Sequence, residues 1–354
     1  MPFDALPPAR PWVPRRVLAT RAALSWAEGA AMAERAAALG AEVVRLQGDR
    51  LTGLPDTYRD AKSTLALVVA PPSRRRPQPI PPSADWRFDL ATGCPAHCQY
   101  CYLAGSLAGP PIIRAYANLP EILTALPPLL GQGQVTSRNA ARAAEGTTFE
   151  GSCYTDPLGL EHITGALGTA IRFFGAWDAA VQFRFTTKYD GVAPLLGLPH
   201  ARRTRIRISV NARGAERFEG GAPRMAARLS ALRQAALAGY RIGLTVAPIL
   251  PVPNWQAEYD RLLADCAAAL SGVPDPDLTV ELFTHRFTEG SRAVLRGWYP
   301  GSALPMDEAG RTRKTTKFGG TKHVFPKQRM MELRAALEAS LARHLPQARQ
   351  LYWT

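Results

Sequence analysis

From Trp86 onward, short β-rich runs alternate with longer helical stretches, and this alternation narrows the fold more than any other feature. Strand candidates cover residues 87–91, 147–151, 181–187, 205–211, 242–248 and 278–284. Helical stretches cover 119–130, 158–174, 222–238 and 255–270. Strands that alternate with helices pair in parallel, because each crossover helix returns the chain to the same end of the sheet. Such units predict an α/β fold, a partial (β/α)6 barrel, with no internal sequence repeat. The polar residues of interest gather at or just past the C-terminal ends of these strands: Cys94, Glu150 to Cys153, Lys188, Ser209, Asn211 and His285. Parallel sheets build their sites along that edge.

Three parts are expected. Residues 1–85 read as an N-terminal accessory α/β extension, with a helix over 21–39 and a strand over 63–69. Residues 71–82 (PPSRRRPQPIPP) read as an exposed, basic, polyproline-like linker. Residues 86–290 hold the barrel, and 291–354 a C-terminal piece. The chain of 354 residues is 46% hydrophobic and 20% charged, which supports a sizeable core and excludes a mainly disordered chain. No stretch approaches the roughly 18–20 apolar residues of a membrane span. The N-terminus shows no apolar signal region, and five cysteines are too few for a disulfide scaffold. Both point to the reducing cytoplasm. Lys and Arg number 43 against 29 Asp and Glu, a net charge of +14. Such an excess favours a polyanionic partner. A GC-rich genome that encodes Arg freely would give the same excess, so charge alone leaves both readings open.

Cys94, Cys98 and Cys101 stand as C-x3-C-x2-C on one loop after the first barrel strand. Three soft thiolates on a short loop converge on a metal. A structural zinc wants four closed ligands, and the other thiols, Cys153 and Cys266, lie far off in sequence. A 4Fe-4S cluster held by three thiolates keeps one iron open for a substrate or cofactor. The cluster is the better fit to the ligand count, with zinc as the alternative.

This C-x3-C-x2-C is the signature of the radical S-adenosylmethionine superfamily. Within it, residues 91–103 resemble the cluster loop of the spore photoproduct lyase family. Residues 149–156, 185–189, 207–211, 246–249 and 281–287 continue the likeness in order, from 59–62 near the start to 352–354. The resemblance implies a partial (β/α)6 barrel of the radical SAM type. It also implies a DNA-repair lyase that splits 5-thyminyl-5,6-dihydrothymine in UV-damaged double-stranded DNA into two thymines through a 5′-deoxyadenosyl radical. By the same resemblance, Cys94, Cys98 and Cys101 hold the 4Fe-4S cluster. Lys188, Ser209, Asn211 and the Ala247 backbone line the S-adenosyl-L-methionine site. Cys153 returns a hydrogen atom to the thymine radical, and Tyr100 and Tyr102 relay the radical onward. An electron donor such as flavodoxin or ferredoxin is implied as a further partner.

Plainer roles stand beside these. Cys153 reads equally as a small buried residue, and Tyr100 and Tyr102 as packing under the cluster. Lys188 reads as a solvated charge, and Glu150 as a turn cap or a contact to the cofactor's amino group. Cys266, in an Ala-rich helix, reads as core. Residues 314–325 (KTTKFGGTKHVF) resemble the β-hairpin with which the family wedges open the duplex, followed by a helix. Lys314, Lys317 and Lys322 are the expected phosphate contacts and Phe318 the stacking residue. Here Phe318 stands where a Tyr is usual, Lys317 where an Arg is usual, and His323 and Phe325 replace Tyr. Stacking survives those changes, whereas phenolic hydrogen bonds and bidentate phosphate grip do not. Two other readings remain open at this point. One is a radical enzyme of the same architecture acting on a different nucleic-acid lesion or base. The other is a non-catalytic zinc protein that binds nucleic acid.

Overall fold

A computed structural model describes residues 3, 7–106, 111–136, 138–315 and 320–354. Its centre is a curled, half-barrel sheet of eight strands. Six of them, Ala84–Phe88, Thr147–Gly151, Val181–Thr187, Thr204–Val210, Arg241–Ile249 and Leu278–Thr284, run parallel in chain order. The partial six-unit barrel is therefore present. Arg349–Trp353 adds a parallel strand beside the sixth, and Gln78–Ile80 an antiparallel one beside the first.

Strand Val181–Thr187 shows why both faces of the sheet are buried. Phe183 and Phe185 point outward, and Phe183 stacks on Phe174 of helix Ala166–Ala176 with centroids 5.1 Å apart. Phe88 and Phe149 join the same aromatic layer. Residues of the opposite parity point inward and are polar, with Arg184 charged. Arg184 pairs with Glu281, and Arg207 pairs with Glu150 and with Glu281 (2.5 Å). Gly243 leaves room for this lattice, since a Cβ there would stand 2.8 Å from Cγ of Arg207. Removing one partner of a buried pair strands the other charge, at a cost of about 3–5 kcal/mol. Glu281→Gln leaves both Arg184 and Arg207 short of an anion. It is expected to lower unfolding free energy by about that much, measured by denaturant titration; a change below about 1 kcal/mol would contradict a structural lattice.

Residues before position 85 do not form a separate sheet. Strands Glu42–Arg45, Arg16–Ala19 and Thr64–Val68 continue into Ile113–Tyr116 and Ala91–Thr92, so this five-stranded layer takes in chain from both sides of 85. Helix Ala27–Ala38 buries Met32, Ala33 and Ala36. Its Arg35 donates to the carbonyls of Ile163 (2.6 Å) and Thr164 (3.0 Å), tying this layer to the half-barrel.

Several expected elements need correction. Residues 71–82 are not a polyproline linker: they hold the one-turn helix Pro72–Arg75 and the edge strand Gln78–Ile80. The strand expected at 87–91 starts earlier and breaks at Asp89, where Phe88 O accepts from Ser152 N and Leu90 N donates to Ser152 Oγ. The helix expected over 119–130 stops at Thr124, because Pro127 and Pro128 cannot supply helical N–H groups. The helix expected over 158–174 is broken by Gly165, at φ +62.

At the C-terminal side, Thr312–Thr315 and Thr321–Val324 form the expected hairpin, and Phe287–Thr288 makes it a three-stranded sheet. Helix Lys327–His344 follows.

Candidate active site

The cysteine loop is shaped by residues distant from it in sequence. Gly93 opens it at φ +78, and a Cβ there would stand 2.4 Å from the carbonyl of Ile112. The buried Lys62 donates from Nζ to the carbonyls of Cys94 and Ala96. In the middle of the loop, His97–Cys98 pairs antiparallel with Glu219–Gly220, Cys98 lying opposite Glu219. His97 turns away from the thiols: its Nδ1 is 3.3 Å from the Tyr58 hydroxyl, and its ring lies against Gly221. Burial, then the Lys62 charge, lowers the His97 pKa to about 4. Lys62→Met removes two charge-assisted bonds and leaves two buried carbonyls unpaired. It is expected to cost about 1–3 kcal/mol and to lower iron retained after reconstitution, measured against wild type.

A cavity of about 370 Å³ lies over this loop at the C-terminal ends of the strands. Cys94, Cys98, Cys101, Tyr100, Tyr102, Cys153, Lys188, Ser209 and Ala247 all line it. Nine of the residues expected from sequence thus meet in one space, from five separate segments.

Lys188 organises one wall. Its Nζ donates to Ser209 Oγ (2.7 Å), Glu219 Oε1 (3.1 Å) and the Ala247 carbonyl (3.3 Å). Glu219 also accepts from the Tyr100 hydroxyl and pairs with the fully buried Arg228 at 2.5 Å. Although burial pushes the Glu219 carboxyl upward, Lys188 and Arg228 hold its pKa below the usual value. Asp156 anchors the end of the strand carrying Lys188, accepting from Thr187 Oγ1 and Lys188 N, each at 2.6 Å.

Cys153 enters from the next strand end. Ser152 takes φ +61, a conformation uncommon for a residue with a side chain, and its hydroxyl accepts from Leu90 N. That turn sends Cys153 into the cavity. Burial foremost, then Glu150 and Asp89, raises the Cys153 pKa well above that of an ordinary thiol. Burial thus favours the thiol over the thiolate at this position.

Tyr100 is buried, whereas Tyr102 is exposed to 48%, with Arg286 over its ring at 5.5 Å. Arg286 lines the cavity and lies near Lys322 of the hairpin, which sits directly opposite Lys314. Burial, then Arg286 and Lys314, lowers the Lys322 pKa. These cations form a positive edge beside the sixth strand. Lys317 and Phe318 lie outside the described residues. His323 and Phe325 are buried rather than presented to a partner: His323 stacks on Phe287, and Arg311 covers Phe325 at 3.7 Å.

Two expected residues do not line the cavity. The Asn211 amide donates to the Pro248 carbonyl (3.0 Å), and its Oδ1 accepts from Tyr259, so it braces the segment next to Ala247. Glu150 is taken up by Arg207 and Ser83 inside the barrel, neither capping a turn nor reaching the cofactor space. Cys266 is core. Sequence reasoning missed Lys62, Glu219, Arg228, Asp156 and Arg286 as parts of the site. Lys62, Asp156 and Arg286 fall within segments that carry the family likeness. Glu219 and Arg228 carry no local signal, because only folding brings them to Cys98 and Lys188.

The donor set suits an iron–sulfur cluster. Three soft thiols from one loop line the same cavity, the ligand number of a cluster that keeps one iron open. Burial raises the pKa of Cys94 to about 11 and raises those of Cys98 and Cys101, while Lys62 or Lys188 pulls each down. Cationic groups are thus in place to favour thiolates once a metal arrives.

A protein-family model described as spore photoproduct lyase matches residues 12–354. The chain is 37% identical to the spore photoproduct lyase of Geobacillus sp. (strain Y412MC61) over 98% of this chain and 100% of the relative. It is 34% identical to that of Bacillus subtilis (strain 168), over 97% and 99%. Among solved structures, a spore photoproduct lyase complexed with dinucleoside spore photoproduct superposes with a TM-score of 0.89 at 35% identity, covering 98% of this chain and 100% of that one. A mutant with bound AdoMet and dinucleoside spore photoproduct gives 0.88 at 34% identity, with the same coverage.

Proposed function

The chain belongs to the spore photoproduct lyase family, and from that premise we propose that it reverses 5-thyminyl-5,6-dihydrothymine in UV-damaged DNA to two thymines by radical chemistry. The observation that carries the reading is the single cavity lined by the three loop thiols, Cys153, both tyrosines, Lys188, Ser209 and Ala247. A 4Fe-4S cluster held by Cys94, Cys98 and Cys101, with S-adenosyl-L-methionine on its open iron, would supply the 5′-deoxyadenosyl radical and recover it at the end.

The chain's own residues account for the rest. Lys188, already aligned by Ser209, Glu219 and the Ala247 carbonyl, offers a fixed cation to a carboxylate or ribose oxygen. The Cys153 S–H bond breaks homolytically and its hydrogen atom joins the thymine radical, which becomes closed-shell while the sulfur becomes a thiyl radical. Tyr102 and Tyr100, on the cavity wall, carry that radical onward. Lys314 and Lys322 of the hairpin grip phosphates, and flipping the lesion out of the stack costs a few kcal/mol. Flavodoxin or ferredoxin is the fitting electron donor, and the cytoplasm the fitting compartment. No described helix is long and apolar enough to cross a membrane.

The test is thymine release from a defined lesion by reduced, iron-reconstituted protein. Release of two thymines per lesion is expected. Formation of 5′-deoxyadenosine without thymine would move the substrate to another lesion or base, and a colourless zinc protein would end the radical reading altogether.

A further inference from the structure

Beside Cys153, on the first-strand edge of the half-barrel, stands a cluster that the reaction above does not use. Tyr154 lies between the cavity residues Cys153 and Thr155 but is not itself part of the cavity wall. Two guanidiniums cover its ring, Arg87 at 4.6 Å and Arg74 at 5.5 Å from the centroid. Both approach one oxygen of Asp89, at 3.8 and 3.6 Å. Two cations therefore share one carboxylate oxygen. One carboxylate oxygen cannot occupy the five N–H donors of each guanidinium, so both retain donors for another acceptor. Arg74 is 45% and Arg87 20% exposed, so an anion from solvent can reach them.

The sheet order gives the cluster its meaning. The hairpin cations Lys314 and Lys322 and Arg286 lie on the sixth-strand side, whereas Arg87 is on the first strand itself, with Arg74 beside it. These strands are the two ends of the parallel six. A chain of phosphates laid over the cavity would meet positive charge on both sides of it.

We propose that Arg74 and Arg87, stacked on Tyr154, form a second phosphate grip that holds the DNA backbone at the Cys153 side of the cavity. Stacking on an aromatic ring fixes the guanidinium planes and leaves their edges to fork onto phosphate oxygens. With the hairpin at the other side, the flipped lesion is held from both flanks with its carbon radical beside the Cys153 thiol. This inference rests on the lyase reading for its substrate, but its test does not.

The experiment measures binding of a labelled, undamaged DNA duplex by fluorescence anisotropy across a salt series, using the full chain. Arg74→Gln combined with Arg87→Gln is expected to flatten the slope of log K against log salt by about 2, one for each phosphate no longer gripped. Affinity at low salt should fall by about tenfold or more, the order of one or more charge-assisted bonds. The double Arg→Lys variant keeps the charges and should keep the slope. An unchanged slope in the Gln variant overturns the proposal. So does an equal loss in the Lys variant, which would assign the arginines to bracing Tyr154. The lyase reading is judged separately, on wild-type thymine release from dinucleoside spore photoproduct, which has no phosphodiester to grip.

Discussion

Cys98→Ala is expected to yield a protein that stays colourless after anaerobic loading with iron and sulfide and forms no 5′-deoxyadenosine. Two thiols remain on the loop, so the outcome depends on whether a neighbour can take the vacant place. His97 is the adjacent donor, and its position rules it out. Its Nδ1 faces Tyr58, its ring lies against Gly221, and it does not line the cavity. Turning it inward would break the short pairing between His97–Cys98 and Glu219–Gly220. The loop itself should persist, because Lys62 holds it through the backbone carbonyls of Cys94 and Ala96, which the substitution leaves intact. The expected result is a folded protein with no visible absorbance and complete loss of cleavage. Retained absorbance together with retained cleavage would show that the loop thiols are not the ligand set.

Cys153→Ala separates the start of the reaction from its completion. The substitution touches neither the cysteine loop nor the Lys188 wall, so iron loading and consumption of S-adenosyl-L-methionine should continue. Thymine release should fall by roughly 100-fold, about 2.7 kcal/mol of barrier at 1.36 kcal/mol per decade, while adducts of the unquenched thymine radical accumulate. Ala has no weak X–H bond to give, and no second cysteine outside the loop lines the cavity. The raised pKa of the thiol adds a pH signature. An ordinary thiol loses its hydrogen as pH rises through about 9, whereas this one should retain it there. Wild-type product yield should accordingly not drop between pH 8 and 9.5 on account of this group, as checked by product analysis on a stable lesion. Normal repair by the Ala variant would remove Cys153 from the reaction.

Legibility in the sequence followed the range of the forces involved. Strands 147–151, 181–187 and 278–284 and helix 255–270 form at the expected residues, because alternating or helical apolar spacing is a local signal. Pro79 misled: it sits in the outermost strand, where a missing N–H removes nothing from the ladder. Asp89 ends the first strand because of a bond from Ser152, far along the chain. In the site, cavity-facing residues at strand ends were legible by position and likeness. Glu150 was not, because its partner Arg207 lies two strands away across the barrel interior. Glu219 and Arg228 were silent for the same reason: an acid in a loop and an arginine in a helix look solvent-bound until folding places them between Lys188, Tyr100 and Cys98.

The cysteine loop is clasped from both directions along the chain, by Lys62 from before it and by Glu219–Gly220 from well after it. During synthesis, the three thiols emerge from the ribosome long before the segment that shapes them. The nascent polypeptide therefore offers only a loose string of sulfurs, and a formed receptacle comes into being once the fourth barrel strand and the turn beyond it have been released. Loading of a cluster on these thiols would accordingly be a late, post-translational event, and expression conditions that slow chain completion under iron limitation should favour empty protein over misloaded protein.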